Sequence, residues 1–188
     1  MRLFVALAPS AGAVDDLDAA CAPLRPTRAQ LRWTSRELWH VTLAFLGEVS
    51  EEHLVRLLPR MENAARRHRS FGLGFAGAGA FPGPARANVL WTGLAGDRKA
   101  LGDLAASVSA GARRAGAAPP GAGRRFRPHL TLARCRPAVD VGEIVTALSG
   151  YQGPAWTAEE IHLIQSTSGS QPRYVTLGTW KLRPANSG

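Results

Sequence analysis

His40-Val41-Thr42-Leu43 and His129-Leu130-Thr131-Leu132 are two copies of one pattern: a histidine and a threonine two residues apart, with apolar residues between and after them. In an extended strand, side chains two apart share a face. Each copy therefore presents an imidazole beside a hydroxyl, with Val41, Leu43 and Phe45 behind the first pair and Leu130 and Leu132 behind the second. Imidazole titrates near neutrality, so one of two facing histidines can hold a proton while the other lacks it. Such a pair suits phosphodiester cleavage without a metal. The neutral ring takes a proton from an attacking water or hydroxyl, and the protonated ring gives one to the departing ribose oxygen. The threonine hydroxyls, with local basic charge, hold the non-bridging oxygens as negative charge shifts. A lone His-x-Thr is ordinary in an amphipathic strand, and its repetition carries the reading. These residues leave open which histidine is the acid and which the base.

Other chemistries lack their residues. No GxGxxG or GxxxxGK[ST] stretch offers a nucleotide cradle. The five histidines form no HExxH, HxH or Cys/His cluster, no serine sits in a GxSxG elbow, and carboxylates do not gather near either motif. Neither a metal nor a cofactor is expected. His53 and His68 read as surface positions on a helix flank, and His162, between Ile161 and Leu163, as packed or exposed rather than catalytic.

The chain that must position these groups has 188 residues, enough for one substantial domain or two lobes sharing a core, with 45% apolar and 20% charged residues. A domain over 1–184 with a short tail at 185–188 is expected. The net charge of +9, mostly arginine, favours an anionic partner such as RNA or a nucleotide. Cys21 and Cys135 belong to no CxxC pattern, so a reducing cytoplasm is the expected setting. The apolar run after Met1-Arg2 stops at Pro9 and reads as a first strand rather than a leader. Nothing approaches the roughly 20 apolar residues of a membrane span. A cytoplasmic monomer, off the membrane, is expected.

Strands are expected at 2–8, 40–47, 71–80, 88–94, 128–134, 155–165 and 173–182. Between them, helical spacing marks 11–24, a helix capped by Ser50 and kinked or cut short at Pro59, one capped by Asp97, and a short one with a capping box of Asp140 and Glu143 that ends at Gly150. Residues 25–36 read as an irregular basic connection and 117–125 as a basic loop containing Arg124 and Arg125. Mixed order with antiparallel pairs argues for an α+β fold. Each motif strand is followed by a capped helix, a sign of internal duplication.

These residues resemble a known family. The paired His-x-Thr motifs, with Arg2-Leu3-Phe4-Val5-Ala6, Phe81-Pro82, Val89-Leu90-Trp91, Phe126-Arg127-Pro128 and Tyr174 with Leu177 and Trp180, resemble the two-histidine phosphoesterases, in particular the RNA 2′,3′-cyclic phosphodiesterases first described as 2′-5′ RNA ligases. The resemblance implies a bilobal fold of two antiparallel sheets facing a central cleft, helices outside, related by a pseudo-twofold. It implies hydrolysis of RNA or nucleoside 2′,3′-cyclic phosphates to 2′-phosphates, with weak reverse ligation. His40 would be the proton donor, His129 the acceptor, and Thr42 and Thr131 phosphate ligands. Arg134 matches a basic residue common after the second motif, although strict alternation puts it on the face opposite His129. Tyr174, Phe4 and Trp33 are aromatic candidates for substrate binding by stacking on a base. The rival readings are a phosphodiesterase for another small cyclic phosphate, such as that of ADP-ribose, and a non-catalytic RNA-binding module.

Overall fold

The computed structural model describes residues 1–27, 29–117, 125–167 and 173–185. Arg124 of the expected basic loop lies outside them. The strands are β1 (Arg2–Leu7), β2 (Arg32–Trp33), β3 (Val41–Glu48), β4 (Phe71–Phe81), β5 (Ala87–Gly96), β6 (Leu130–Val139), β7 (Trp156–Ala158), β8 (Glu160–Ser166) and β9 (Tyr174–Lys181). The helices are α1 (Ala11–Cys21), α2 (Glu51–Arg67), α3 (Arg98–Arg114) and α4 (Gly142–Ala147).

Named strand pairs are all antiparallel, in the order β7-β4-β5-β6-β3-β1-β8-β9, with β2 added beside β6. The fold is α+β. The two motif strands meet at the middle of that order through one register pair, Val41 with Leu130. On either side lies an antiparallel arm of four strands, so the order reads symmetrically outward from the seam. The helices follow the same twofold logic. α1 follows β1 but packs on β4 in the other arm, and α3 follows β5 but packs on β3. Each arm is thus covered by a helix that the other arm's strands launch.

Alternation divides the two faces. Leu3, Val5, Leu7, Leu43, Leu90, Leu130 and Leu132 point into one core with Leu57, Met61, Leu101 and Leu104 of α2 and α3. The opposite face carries a small cluster of Phe4, Ala6 and Ile164 with Tyr174 against it.

Ser50 and Asp97 cap α2 and α3, accepting from the backbone N–H of His53 and Ala100. α2 does not end at Pro59. It continues to Arg67, because Leu57, Met61, Ala64 and Ala65 form a buried stripe on both sides of the proline; burying such side chains outweighs the ~3 kcal/mol cost of an interior proline. The expected box at Asp140 does not form. Val141 occupies the cap of α4, Asp140 accepts instead from Gly142 N at 2.8 Å, and the helix stops at Ala147. The expected strand at 155–165 is two. β7 pairs with β4 and β8 with β1, so the chain changes arms between Ala158 and Glu160. Within the irregular connection, β2 forms because β6 runs past its pairing with β3 and leaves backbone groups to be met; Thr34 N donates to Leu132 O at 2.8 Å.

Candidate active site

His40 immediately precedes β3 and His129 immediately precedes β6, flanking the seam. Their surroundings are twins. His40 Nδ1 lies 2.7 Å from the carbonyl oxygen of Leu38, and His129 Nδ1 lies 2.7 Å from that of Arg127. A carbonyl can only accept, so Nδ1–H donates in both and the tautomer is fixed. Nε2 of each ring is left as the exchanging atom: an acceptor when the ring is neutral, a donor when it is charged. Both rings are partly buried, and burial pushes both pKa values below the usual imidazole range. The backbone carbonyl opposes that shift, while the Arg134 guanidinium adds to it at both rings. His129 also lowers His40, and the pairing of Val41 with Leu130, the residues directly after the two histidines, sets both rings at the seam.

Thr42 and Thr131 follow on the same face. Thr42 pairs with Ala6, and Thr131 with Trp91. Beyond each threonine the strand bulges. Val5 pairs with Ala44 but Ala6 with Thr42, which leaves Leu43 extra in β3. Leu90 pairs with Ala133 but Trp91 with Thr131, which leaves Leu132 extra in β6. An extra residue reverses the alternation beyond it. Leu43 and Ala44 are therefore both buried, as are Leu132 and Ala133. The next residue in each strand, Phe45 and Arg134, turns to the histidine face. Two strict-alternation expectations are overturned: Phe45 does not lie behind His40, and Arg134 does not lie opposite His129.

The cleft walls differ between arms. In the first, Phe4 lies 4.7 Å from His40, 5.1 Å from Tyr174 and 6.0 Å from Phe45, and Tyr174 lies 5.4 Å from His40. Phe4 is only 3% exposed and Phe45 54%, so Phe4 backs the wall while Phe45 and Tyr174 present surface. Burial raises the Tyr174 phenol pKa, and the charges of Arg134 and Arg2 oppose that. In the second arm, Phe81 meets His129 edge-on at 5.0 Å, Trp91 lies 6.2 Å from it, and Arg127 stacks over Phe81 at 5.2 Å. Phe45, Phe81, Trp91 and Arg127 were not among the candidates from sequence. The repeat itself held a signal for one of them: His-x-Thr-Leu-Ala-x recurs, and its last position is Phe45 in one copy and Arg134 in the other.

The remaining histidines stand apart. His68 Nε2 pairs with Ser107 Oγ at 2.8 Å, and His162 Nδ1 with Thr179 Oγ1 at 3.1 Å. Among the described residues, no three His, Cys, Asp or Glu side chains gather as a metal cluster, and no helix is long and apolar enough to cross a membrane.

Comparison with known proteins gives the family. The family described as LigT like Phosphoesterase matches residues 7–91 and again 94–174, one motif in each stretch. The RNA 2′,3′-cyclic phosphodiesterase of Archaeoglobus fulgidus is 32% identical over 173 residues, spanning 88% of this chain and 91% of the relative. The crystal structure of TT0787 from Thermus thermophilus superposes with a TM-score of 0.83 at 29% identity, covering 98% of this chain and 99% of that one. Escherichia coli LigT complexed with 3′-AMP superposes with a TM-score of 0.78 at 28% identity, covering 96% and 97%.

Proposed function

The chain belongs to the LigT-like phosphoesterases, and on that premise we propose that it hydrolyses RNA or nucleoside 2′,3′-cyclic phosphates to 2′-phosphomonoesters. The observation that supports the reading is the twin Nδ1–H bond, which leaves both Nε2 atoms available for proton transfer at the seam. His129 Nε2 takes a proton from water as the water oxygen bonds to phosphorus. His40 Nε2 gives a proton to the 3′-oxygen as its bond to phosphorus breaks. The proton count closes, and the two rings end with exchanged protonation states. Thr42, Thr131 and Arg134 hold the non-bridging oxygens, where charge grows in the transition state. Phe4 fixes the His40 ring, and Tyr174 with Phe45 offers an aromatic surface to the substrate. A 5′-hydroxyl in place of water would leave a 2′-5′ linkage, which is the weak reverse ligation.

The test is turnover of adenosine 2′,3′-cyclic phosphate by the purified chain in excess EDTA. Activity should persist, fall by about 10²–10⁴-fold when either histidine is replaced by alanine, and yield only the 2′-phosphate. Loss with EDTA, or survival in His40→Ala/His129→Ala, would contradict the mechanism. ADP-ribose 1″,2″-cyclic phosphate serves as the competing substrate, and salt-dependent RNA binding without turnover would favour a binding module instead.

A further inference from the structure

β2 has two residues, and its register places one of them at the cleft. Arg32 pairs directly with Arg134, and Trp33 with Ala133. Directly paired residues of an antiparallel ladder project to one face, with Cβ atoms about 5 Å apart. Ala133 is buried in the helix-covered core and Trp33 packs against it. Arg32 and Arg134 therefore both face the cleft, and both are exposed.

Two like charges directly opposite one another destabilise a sheet, and acidic neighbours ordinarily offset them. Here the acids of α1, the helix that precedes β2 in the chain, are engaged elsewhere. Asp18 pairs with Arg25 and Arg36, and Asp15 with Arg36. Among the described residues, neither Arg32 nor Arg134 has an ion-pair partner. The sheet carries an uncompensated pair of guanidiniums at the edge of the histidine site, a geometry that suits two neighbouring anions. Arg134 stands on the histidine face beyond Thr131 and its charge acts on both imidazoles, so the anion assigned to it is the reacting phosphate.

We infer that Arg32 binds a second phosphate, the phosphodiester on the 5′ side of the terminal ribose. Arginine is suited to this by its planar, always-charged fork of donors. The inference rests on the cyclic phosphodiesterase reading and deepens it. A nucleoside cyclic phosphate has one phosphate and leaves Arg32 idle. An RNA end supplies both, so the preferred substrate class is an oligoribonucleotide end rather than a free mononucleoside.

The experiment compares kcat/KM for three substrates: adenosine 2′,3′-cyclic phosphate, its 5′-phosphorylated form, and the dinucleotide ApA ending in the same cyclic phosphate. In the unaltered protein, the second and third should exceed the first by about tenfold, a step that one charge-assisted contact can supply. Arg32→Ala should bring those ratios toward one, and Arg32→Lys should keep part of them. The salt dependence for ApA should become shallower by roughly 0.7 in log–log slope, the loss of one phosphate contact on a single strand. The melting temperature should not fall, since a repulsion is removed; Arg32→Gln, which keeps the aliphatic stem, gives a second reading of the same ratios. Ratios of one in the unaltered protein, or ratios that survive Arg32→Ala, would overturn the inference. Absence of turnover on all three substrates would instead overturn the hydrolase reading beneath it.

Discussion

The histidine rings are set by two backbone carbonyls rather than by carboxylates. Leu38 and Arg127 orient them without adding a charge that would hold a proton on either ring. Burial and Arg134 then both favour the neutral imidazole. The two limbs of the pH dependence of kcat/KM should accordingly lie on the acid side of an ordinary histidine pair. Removing Arg134 takes a positive charge away from both rings, so both pKa values rise. Arg134→Ala should move the whole profile to higher pH and lower the maximum by about 10²–10³-fold, the usual cost of one transition-state charge donor. Arg134→Lys keeps the charge and should keep the profile where it is. A structural role for Arg134 would lower activity without moving the profile. The shared face of each histidine and threonine, with Val41, Leu43, Leu130 and Leu132 buried behind them, was legible at this scale because strand alternation is a local rule. Phe45 and Arg134 were misplaced because a bulge needs a partner strand to exist, and no local rule marks it.

Regular elements were mostly legible as well. Ser50 and Asp97 announce their helices, and the β4–β5 hairpin follows from its flanking turn residues. What could not be read depends on distant pairing. β2 exists only because β6 offers it an edge, and the break between β7 and β8 exists because the two halves of that run belong to different arms. Gly79 shows how one such pairing shapes the cleft. It pairs with Trp91, whose indole lies so close across it that a Cβ on residue 79 would come within 2.3 Å of a ring carbon. Gly79→Ala must push Trp91 from its place beside His129. Overpacking of this kind costs about 1–3 kcal/mol, so urea denaturation should show a lower midpoint. Turnover should fall as well, while Gly72→Ala on the same strand, where a Cβ meets nothing within 4 Å, should leave both near their starting values. Equal effects at the two glycines would show that strand β4, not the indole, is what the substitution disturbs.

Across the molecule, the arms share one paired strand position, and both imidazoles and Arg134 converge beside it. The chain already carries a net charge of +9 with its histidines neutral, so acid adds positive charge where it is least welcome. The sign follows from linkage. Folding lowers the pKa of His40 and His129, so below about pH 6.5, the ordinary histidine value, the unfolded chain binds more protons than the folded one. Their contribution to stability is intact above that value and is lost as the pH falls from it through the lowered folded values. A phosphate ion in the cleft should reverse part of this, because an anion favours the charged imidazoles and binds only the folded state. Thermal melts between pH 8 and pH 5 at constant ionic strength should therefore show a falling midpoint that phosphate raises more at pH 5.5 than at pH 7.5. In His40→Ala/His129→Ala both the acid loss attributable to this site and the extra protection by phosphate should shrink. Protection that is independent of pH, or unchanged in the double variant, would place the bound phosphate somewhere other than between the two rings.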